Sequence, residues 1–169
     1  MPIIYWTRLT IERWPLIIAT TEKGLCFVGG LNEEVEELVK WQQQKLPSYT
    51  LQQNHEQLSQ YFSWFEKYFN QEFVPFVLPI DLVGTPFQQR VWQALQQIPF
   101  GQTKSYSDIA NMILQPTAVR AVGGAIGANP IAIVIPCHRV IGKNSSLTGY
   151  RGGIPMKISL LENENVVLK

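Results

Sequence analysis

Residues 117–140 read TAVRAVGGAIGANPIAIVIPCHRV, and this stretch decides the architecture of the second half of the chain. Thr117 is placed to cap a helix running from Ala118 to about Gly127. A shorter helix precedes it, starting at Ser107-Asp108, ending at Ile113 and broken by Gln115-Pro116. Two short helices around a tight break form a helix-turn-helix pattern. Ile131 to Ile135 then reads as a β-rich segment that delivers Pro136-Cys137-His138-Arg139-Val140 at its end. A thiol attacks as thiolate, and an adjacent imidazole can take its proton, so Cys137 and His138 form a candidate nucleophile and base.

The second helix is unusually small. Gly123, Gly124 and Gly127 lie in it or at its end, and an interior glycine costs about 1 kcal/mol against alanine. Two readings fit that cost. One is close packing on a neighbouring element. The other is entry into a nucleic-acid groove, since an ordinary helix is about 10–12 Å across and the minor groove about 6 Å wide. A surface of Ala121, Gly123 and Gly124 offers few groups for reading bases, so binding would be nearly independent of sequence. Arg120 is the long side chain at its start. It fits either a phosphate contact or a wedge filling the space of a displaced nucleotide.

Working outward, Thr85-Pro86 is a cap followed by proline at the first helical position. Phe87, Val91, Trp92 and Leu95 give that helix an apolar face, and Pro99-Phe100-Gly101 ends it. Ile154 to Asn163 reads as a closing helix. Upstream, strands are expected over Ile3 to Leu9, Pro15 to Thr21 and Leu25 to Gly29. Asn32 is placed to cap a helix from Glu33 to Lys45, stopped before Pro47. A further helix spans about Asn54 to Phe69, and its stripe of Leu58, Tyr61, Phe62, Phe65 and Phe69 reads as core. The prolines and glycine between Pro75 and Thr85 mark a connection. The chain therefore reads as α/β (α+β), with domains over 1–81 and 82–169.

The 169 residues are 46% hydrophobic and only 16% charged, which favours packed domains over disorder or coiled coil. The first 81 residues carry six basic and ten acidic side chains, a net −4, and the rest eight basic and three acidic, a net +5. This asymmetry points the second half at a polyanion, with chance segregation of few charges the competing explanation. Two cysteines and two histidines assemble no metal-ligand cluster by spacing, so no metal is expected. Cys26, within Leu25-Cys26-Phe27-Val28, reads as a buried inert thiol. Apolar runs are too short for a membrane span, and Arg8, Glu12 and Arg13 interrupt the amino-terminal one. A cytoplasmic protein is expected.

Taken together, Pro136-Cys137-His138-Arg139-Val140, Arg120-Ala121-Val122-Gly123-Gly124, Asn129-Pro130, Ser105-Tyr106 and Gly149-Tyr150-Arg151-Gly152-Gly153 closely resemble the O6-alkylguanine-DNA alkyltransferases, also called methylated-DNA–protein-cysteine methyltransferases. The resemblance covers about residues 82–165. It implies a winged-helix-like alkyltransferase domain, preceded by a small ribonuclease-H-like scaffold that lacks that fold's catalytic acids. It also implies a single-use transferase without cofactor, a monomer acting on double-stranded DNA through the minor groove. The damaged guanine is flipped out, and its O6-alkyl group passes to the protein; O4-alkylthymine is a further possible substrate.

By that resemblance Cys137 is nucleophile and permanent acceptor, and His138 the base, acting through a water. Glu164 orients the histidine, in the logic of a catalytic triad. Asn129 braces the reactive turn, and Tyr106 donates a hydrogen bond as charge builds on the departing guanine. Arg120 fills the gap left by the flipped base. Ser105, Ala121, Gly123 and Gly124 belong to the substrate and DNA surface, and Tyr150, Arg151 and Gly152 line the base and alkyl pocket. The zinc ligands that some relatives carry in the first half are absent, and Arg151 stands where some have a smaller residue. Two other functions compete. Alkyltransferase-like lesion sensors carry another residue, commonly tryptophan, in place of the acceptor cysteine. Cysteine hydrolases usually draw their histidine from elsewhere in the chain, not from the next position.

Overall fold

The computed structural model describes residues 2–11, 14–29, 35–143 and 146–167. They divide into two compact units, Met1–Val83 and Gly84–Lys169. Among the described residues no helix is long and apolar enough to cross a membrane.

In the first unit, strands β1 (Ile3–Ile11), β2 (Trp14–Thr21) and β3 (Gly24–Gly29) form an antiparallel meander. Helix α1 (Val35–Lys45) then leads to β4 (Thr50–Gln53), which pairs parallel with β1 and completes the order β3-β2-β1-β4. The short, polar and largely exposed β4 lacks the apolar alternation that marks a strand in sequence. The expected start of α1 at Asn32 and Glu33 lies outside the described residues. Ile4, Ile17, Ala19, Cys26, Phe27 and Leu38 form a shared buried core. Helix α2 (Ser59–Phe69) is preceded by a 3-10 turn over Glu56–Leu58. Four of the five expected stripe residues are core: Leu58, Tyr61, Phe65 and Phe69 are buried, and Phe69 stacks on Trp14 at 5.4 Å between ring centres, whereas Phe62 is half-buried against the His55 ring.

The second unit opens with α3 (Pro86–Leu95), held by a reciprocal Thr85–Gln88 cap with proline in the first turn. Trp92 of α3 is buried and its indole N–H donates to the Ala125 carbonyl at 2.8 Å. That bond ties α3 to α5 (Val119–Gly127). Between them, β5 (Lys104–Ser105) leads into α4 (Tyr106–Met112), and β5 pairs parallel with β6 (Val140–Ile141). Helix α6 (Ile154–Asn163) closes the unit.

Three sequence expectations change. Helix α4 starts at Tyr106, not at Ser107-Asp108, because Ser105 and Asp108 form a capping box that sets its first turn. Thr117 does not cap α5. The preceding position is Ala118, with no side-chain cap, and its N–H is spent on the Gln115 carbonyl at 2.9 Å as the chain turns. Ile131 to Ile135 is not a strand but a buried, tightly turned loop with Ile133 at φ +71°. Apart from an isolated bridge at Ile131, it is held by local backbone bonds, Ile135 N–H to Ile131 carbonyl at 3.1 Å and Val134 N–H to Ala132 carbonyl at 2.8 Å. Complete burial accounts for the apolar run without any sheet.

Asn129 holds that loop closed. Its side-chain oxygen accepts from the Ile131 N–H and its amide donates to the Ile135 carbonyl, both at 2.9 Å, with the residue itself buried. Truncation would strand the buried Ile131 N–H, at a cost of roughly 1–3 kcal/mol, while the Ile135 carbonyl keeps the Cys137 N–H as a donor. Asn129→Ala is therefore expected to destabilise the second unit by about 1–3 kcal/mol in denaturant unfolding. A loss under about 0.5 kcal/mol would contradict the bracing role.

Candidate active site

The braced loop runs through Pro136 into a 3-10 turn over Cys137–Arg139. The Cys137 N–H bonds the Ile135 carbonyl at 2.8 Å and the Arg139 N–H the Pro136 carbonyl at 2.9 Å, so the turn is closed on both sides. Cys137 keeps 8% of its surface accessible, whereas His138 is fully buried behind it.

His138 Nε2 lies 2.6 Å from Glu164 Oε2. Glu164 is the residue that ends α6, and it gathers further donors: Arg139 Nε to Oε1 at 2.7 Å, Arg139 Nη2 to Oε2 at 3.1 Å, and the Gly101 N–H to Oε1 at 3.1 Å. Arg139 in turn donates to the Ile98 carbonyl at 2.7 Å and lies over the Phe100 ring at 4.5 Å. Gly101 adopts φ +78°, which favours glycine, and an added Cβ would sit 3.2 Å from the Glu164 carbonyl oxygen. Burial alone would raise the Glu164 carboxyl, but the His138 and Arg139 contacts outweigh it and hold the group at about 2. It is therefore ionised at neutral pH and can only accept hydrogen bonds. Burial dominates at His138 and pushes its ring towards the neutral form, against the pull of Glu164. A neutral ring bonded through Nε2 to a carboxylate must carry its proton there, which leaves Nδ1 with the lone pair.

Burial also raises the Cys137 thiol, while hydrogen bonding from Asn129, the charge of Lys157 and hydrogen bonding from Tyr150 act in the opposite direction. The sulfur opens on a cavity of about 560 Å³ lined by Tyr106, Asn129, Thr148, Tyr150 and Arg151, with Gly123, Ile126 and Gly127 of α5 on one side. Tyr106 and Thr148 share a hydroxyl hydrogen bond of 2.6 Å across that cavity. Gly152 packs where a Cβ would meet the Met156 sulfur at 2.6 Å and the Tyr150 ring at 3.0 Å, so the Tyr150 loop needs glycine there.

On α5, Arg120, Ala121, Gly124 and Gly127 are exposed. A Cβ on Gly124 or Gly127 would meet nothing within 4 Å, and one on Gly123 would touch only the Tyr106 ring, at 3.8 Å. Close packing within the unit therefore does not explain these glycines. The residues singled out in sequence fall in two groups. Cys137, Asn129, Tyr106, Tyr150, Arg151 and Gly123 meet at the cavity, backed by His138 and Glu164. Arg120, Ala121 and Gly124 lie on the open helix face, and the Ser105 side chain serves as the α4 cap.

Sequence reading passed over Arg139, Thr148, Gly101 and Lys157. A signal existed for the last. Lys157, Leu160, Leu161 and Glu164 follow the i, i+3, i+4, i+7 spacing of one helix face, which places two charges on an apolar stripe.

Comparison with known proteins bears on this site. Residues 4–82 match the family model described as 6-O-methylguanine DNA methyltransferase, ribonuclease-like domain, and residues 86–166 match its DNA binding domain. The inducible methylated-DNA–protein-cysteine methyltransferase of Bacillus subtilis is 52% identical over 163 residues, covering 96% of this chain and 91% of the relative. The crystal structure of Mycobacterium tuberculosis O6-methylguanine methyltransferase superposes with a TM-score of 0.80 at 40% identity, over 95% of this chain and 92% of that one. Mycobacterium tuberculosis OGT in complex with DNA gives 0.76 at 40% identity, over 96% and 92%. With both of its halves matched and a buried His–Glu pair set behind a cysteine on the cavity wall, the chain belongs to the methylated-DNA–protein-cysteine methyltransferase family.

Proposed function

We propose that the protein repairs DNA directly, moving the alkyl group of O6-alkylguanine onto its own Cys137. The observation that carries this reading is a cysteine on the cavity wall next in sequence to a buried imidazole whose tautomer an ionised carboxylate dictates. The resting thiol is protonated, so the reaction begins with a proton leaving sulfur. Nδ1 of His138 takes it, through a bridging water. The thiolate attacks the alkyl carbon, an S–C bond forms, and the C–O6 bond breaks with its electron pair on the purine. Tyr106, hydrogen-bonded to Thr148 at the cavity, donates a hydrogen bond to the purine as charge builds there; a proton from water then restores ordinary guanine, which stays in the strand, and His138 returns the thiol's proton to water. Nothing at the site can hydrolyse a thioether, so each molecule acts once.

The open face of α5 suits the minor groove, because its small residues let the backbone approach closely. Arg120 at its start is positioned to occupy the stack vacated by a flipped base. The protein works as a monomer in the cytoplasm, where a reduced sulfur persists. O4-alkylthymine offers a related electrophilic carbon and is a secondary substrate. The units meeting at Val83 and Gly84 act as separate domains, the first as scaffold.

Incubation with a duplex bearing O6-methylguanine is expected to add one methyl group to the Cys137 peptide, saturating at one equivalent. Cys137→Ala is expected to bind the duplex and gain no mass. Repair of many lesions per molecule, or repair with unmodified sulfur, would contradict the reading. Acid offers a second check. The folded proton affinity of His138 lies below its unfolded value, so the unfolded chain binds the extra proton and native stability falls as pH drops through about 6.5. The same lowering keeps the base unprotonated, so the single-turnover rate is expected to hold past that pH before declining. A rate that halves near pH 6.5 would show an ordinary, unperturbed histidine.

A further inference from the structure

Tyr106 and Thr148 line the same cavity as Cys137, 42 residues apart in the chain, with 2.6 Å between their hydroxyl oxygens. Both are half-buried, and each is held from behind. Tyr106 opens α4, whose first turn is fixed by the Ser105–Asp108 capping box. Its ring lies along α5, where a Cβ on Gly123 would touch it at 3.8 Å. Thr148 turns its methyl group towards Gly142, where a Cβ would lie 3.0 Å from Cγ2. With the methyl branch on that side, Oγ1 is the branch that meets the tyrosine.

Counting protons gives this pair a direction. The two hydroxyls carry one proton each, and the bond between them uses one. In the reaction proposed above the phenol proton is donated to the purine. The proton lying between the two oxygens must then come from Thr148. A phenol oxygen that accepts a hydrogen bond is polarised by it and donates more strongly in turn.

We propose that Thr148 is a positioning residue of the transfer, its Oγ1–H donating to the Tyr106 oxygen and so directing the phenol proton at the purine. Thr148 acts only through the tyrosine. Its effect belongs to the transition state, where negative charge grows on the purine, and not to binding of the lesion. No proton changes owner within the pair: Tyr106 stays a phenol and Thr148 an alcohol. The opposite direction, Tyr106 donating to Thr148, would hold the phenol proton away from the purine and make the threonine a brake. The two directions predict opposite signs when the hydroxyl is removed.

The proposal rests on methyl transfer to Cys137, and its test separates the two. Single-turnover transfer from an O6-methylguanine duplex is measured at saturating protein in wild type and Tyr106→Phe, each with and without Thr148→Val. Valine keeps the shape of the side chain and removes the hydroxyl. In the presence of Tyr106 this loss is expected to slow transfer about five- to tenfold, the worth of one hydrogen bond. Thr148→Ser, which keeps the hydroxyl, is expected to restore most of the rate. In the Tyr106→Phe background Thr148→Val is expected to change the rate less than about twofold, because no phenol oxygen is left to accept. Affinity for the duplex and iodoacetamide labelling of Cys137 without DNA are expected to stay unchanged in Thr148→Val.

Equal slowing in both backgrounds would make Thr148 a wall residue only and overturn the proposal. Labelling of Cys137 slowed by the same factor as transfer would do the same, as would faster transfer in Thr148→Val. Should the valine variants fail to fold, Thr148→Ala carries the same expectations in both backgrounds. Absence of methyl transfer in the wild type would defeat the proposed function, and this proposal with it; transfer in the wild type with an additive cycle would defeat this proposal alone.

Discussion

A single buried carboxylate organises the second unit. Glu164 accepts from a histidine, twice from an arginine and once from a backbone amide, and these donors come from the reactive turn and from the segment after α3. It thereby joins the end of α6, the Cys137–Arg139 turn and the Gly101 turn at one point. Removing one member of such a buried ionic group typically costs about 3–5 kcal/mol, because the remaining charge is left without a partner. In the proposed reaction the same contact sets chemistry, since an ionised carboxylate at Nε2 decides which ring nitrogen is left to act as base. Structure and reactivity therefore share one interaction.

The electrostatic plan around the sulfur follows from that. Arg139 neutralises Glu164, which lets burial keep His138 uncharged and able to accept a proton. Cys137 rests as a thiol, protected by the same burial, and becomes nucleophilic only as its proton leaves. The buried Cys26 shows the contrast. Burial dominates its upward shift, the nearby Asp81 charge adds to it, and its thiol donates only to the Ala19 carbonyl at 3.5 Å. Two buried cysteines in one chain thus differ in surroundings, one on the cavity wall and the other in the sheet core.

Much of this was legible in the residues. The aromatic stripe of α2, the Thr85-Pro86 start of α3 and the extent of α6 follow from spacing and caps that tertiary contacts do not override. Cys137 beside His138 carried the expectation of nucleophilic chemistry, and the fold sets a buried His138–Glu164 pair behind the cavity that Cys137 lines. Other features were hidden because their cause is long-range. The Ile131 to Ile135 run carries the composition of a strand, yet its hydrogen bonds are captured by Asn129 and by its own turns. Strand β4 is too polar to announce itself and exists because β1 offers a free edge. Arg139 stood in plain view next to His138, but only the fold shows that it shares Glu164, 25 residues on. The glycines of α5 left packing and groove entry equally open, and the empty space beside Gly124 and Gly127 favours the second.

The central claim is that Glu164 holds His138 neutral with its proton on Nε2. Nitrogen NMR of protein labelled at histidine tests it most directly, because only His55 and His138 contribute signals and substitution of His55 assigns them. At pH 7 the account predicts, for His138, a protonated Nε2 and an unprotonated Nδ1, with both signals changed in Glu164→Gln. A doubly protonated ring, or a proton resting on Nδ1, would contradict it.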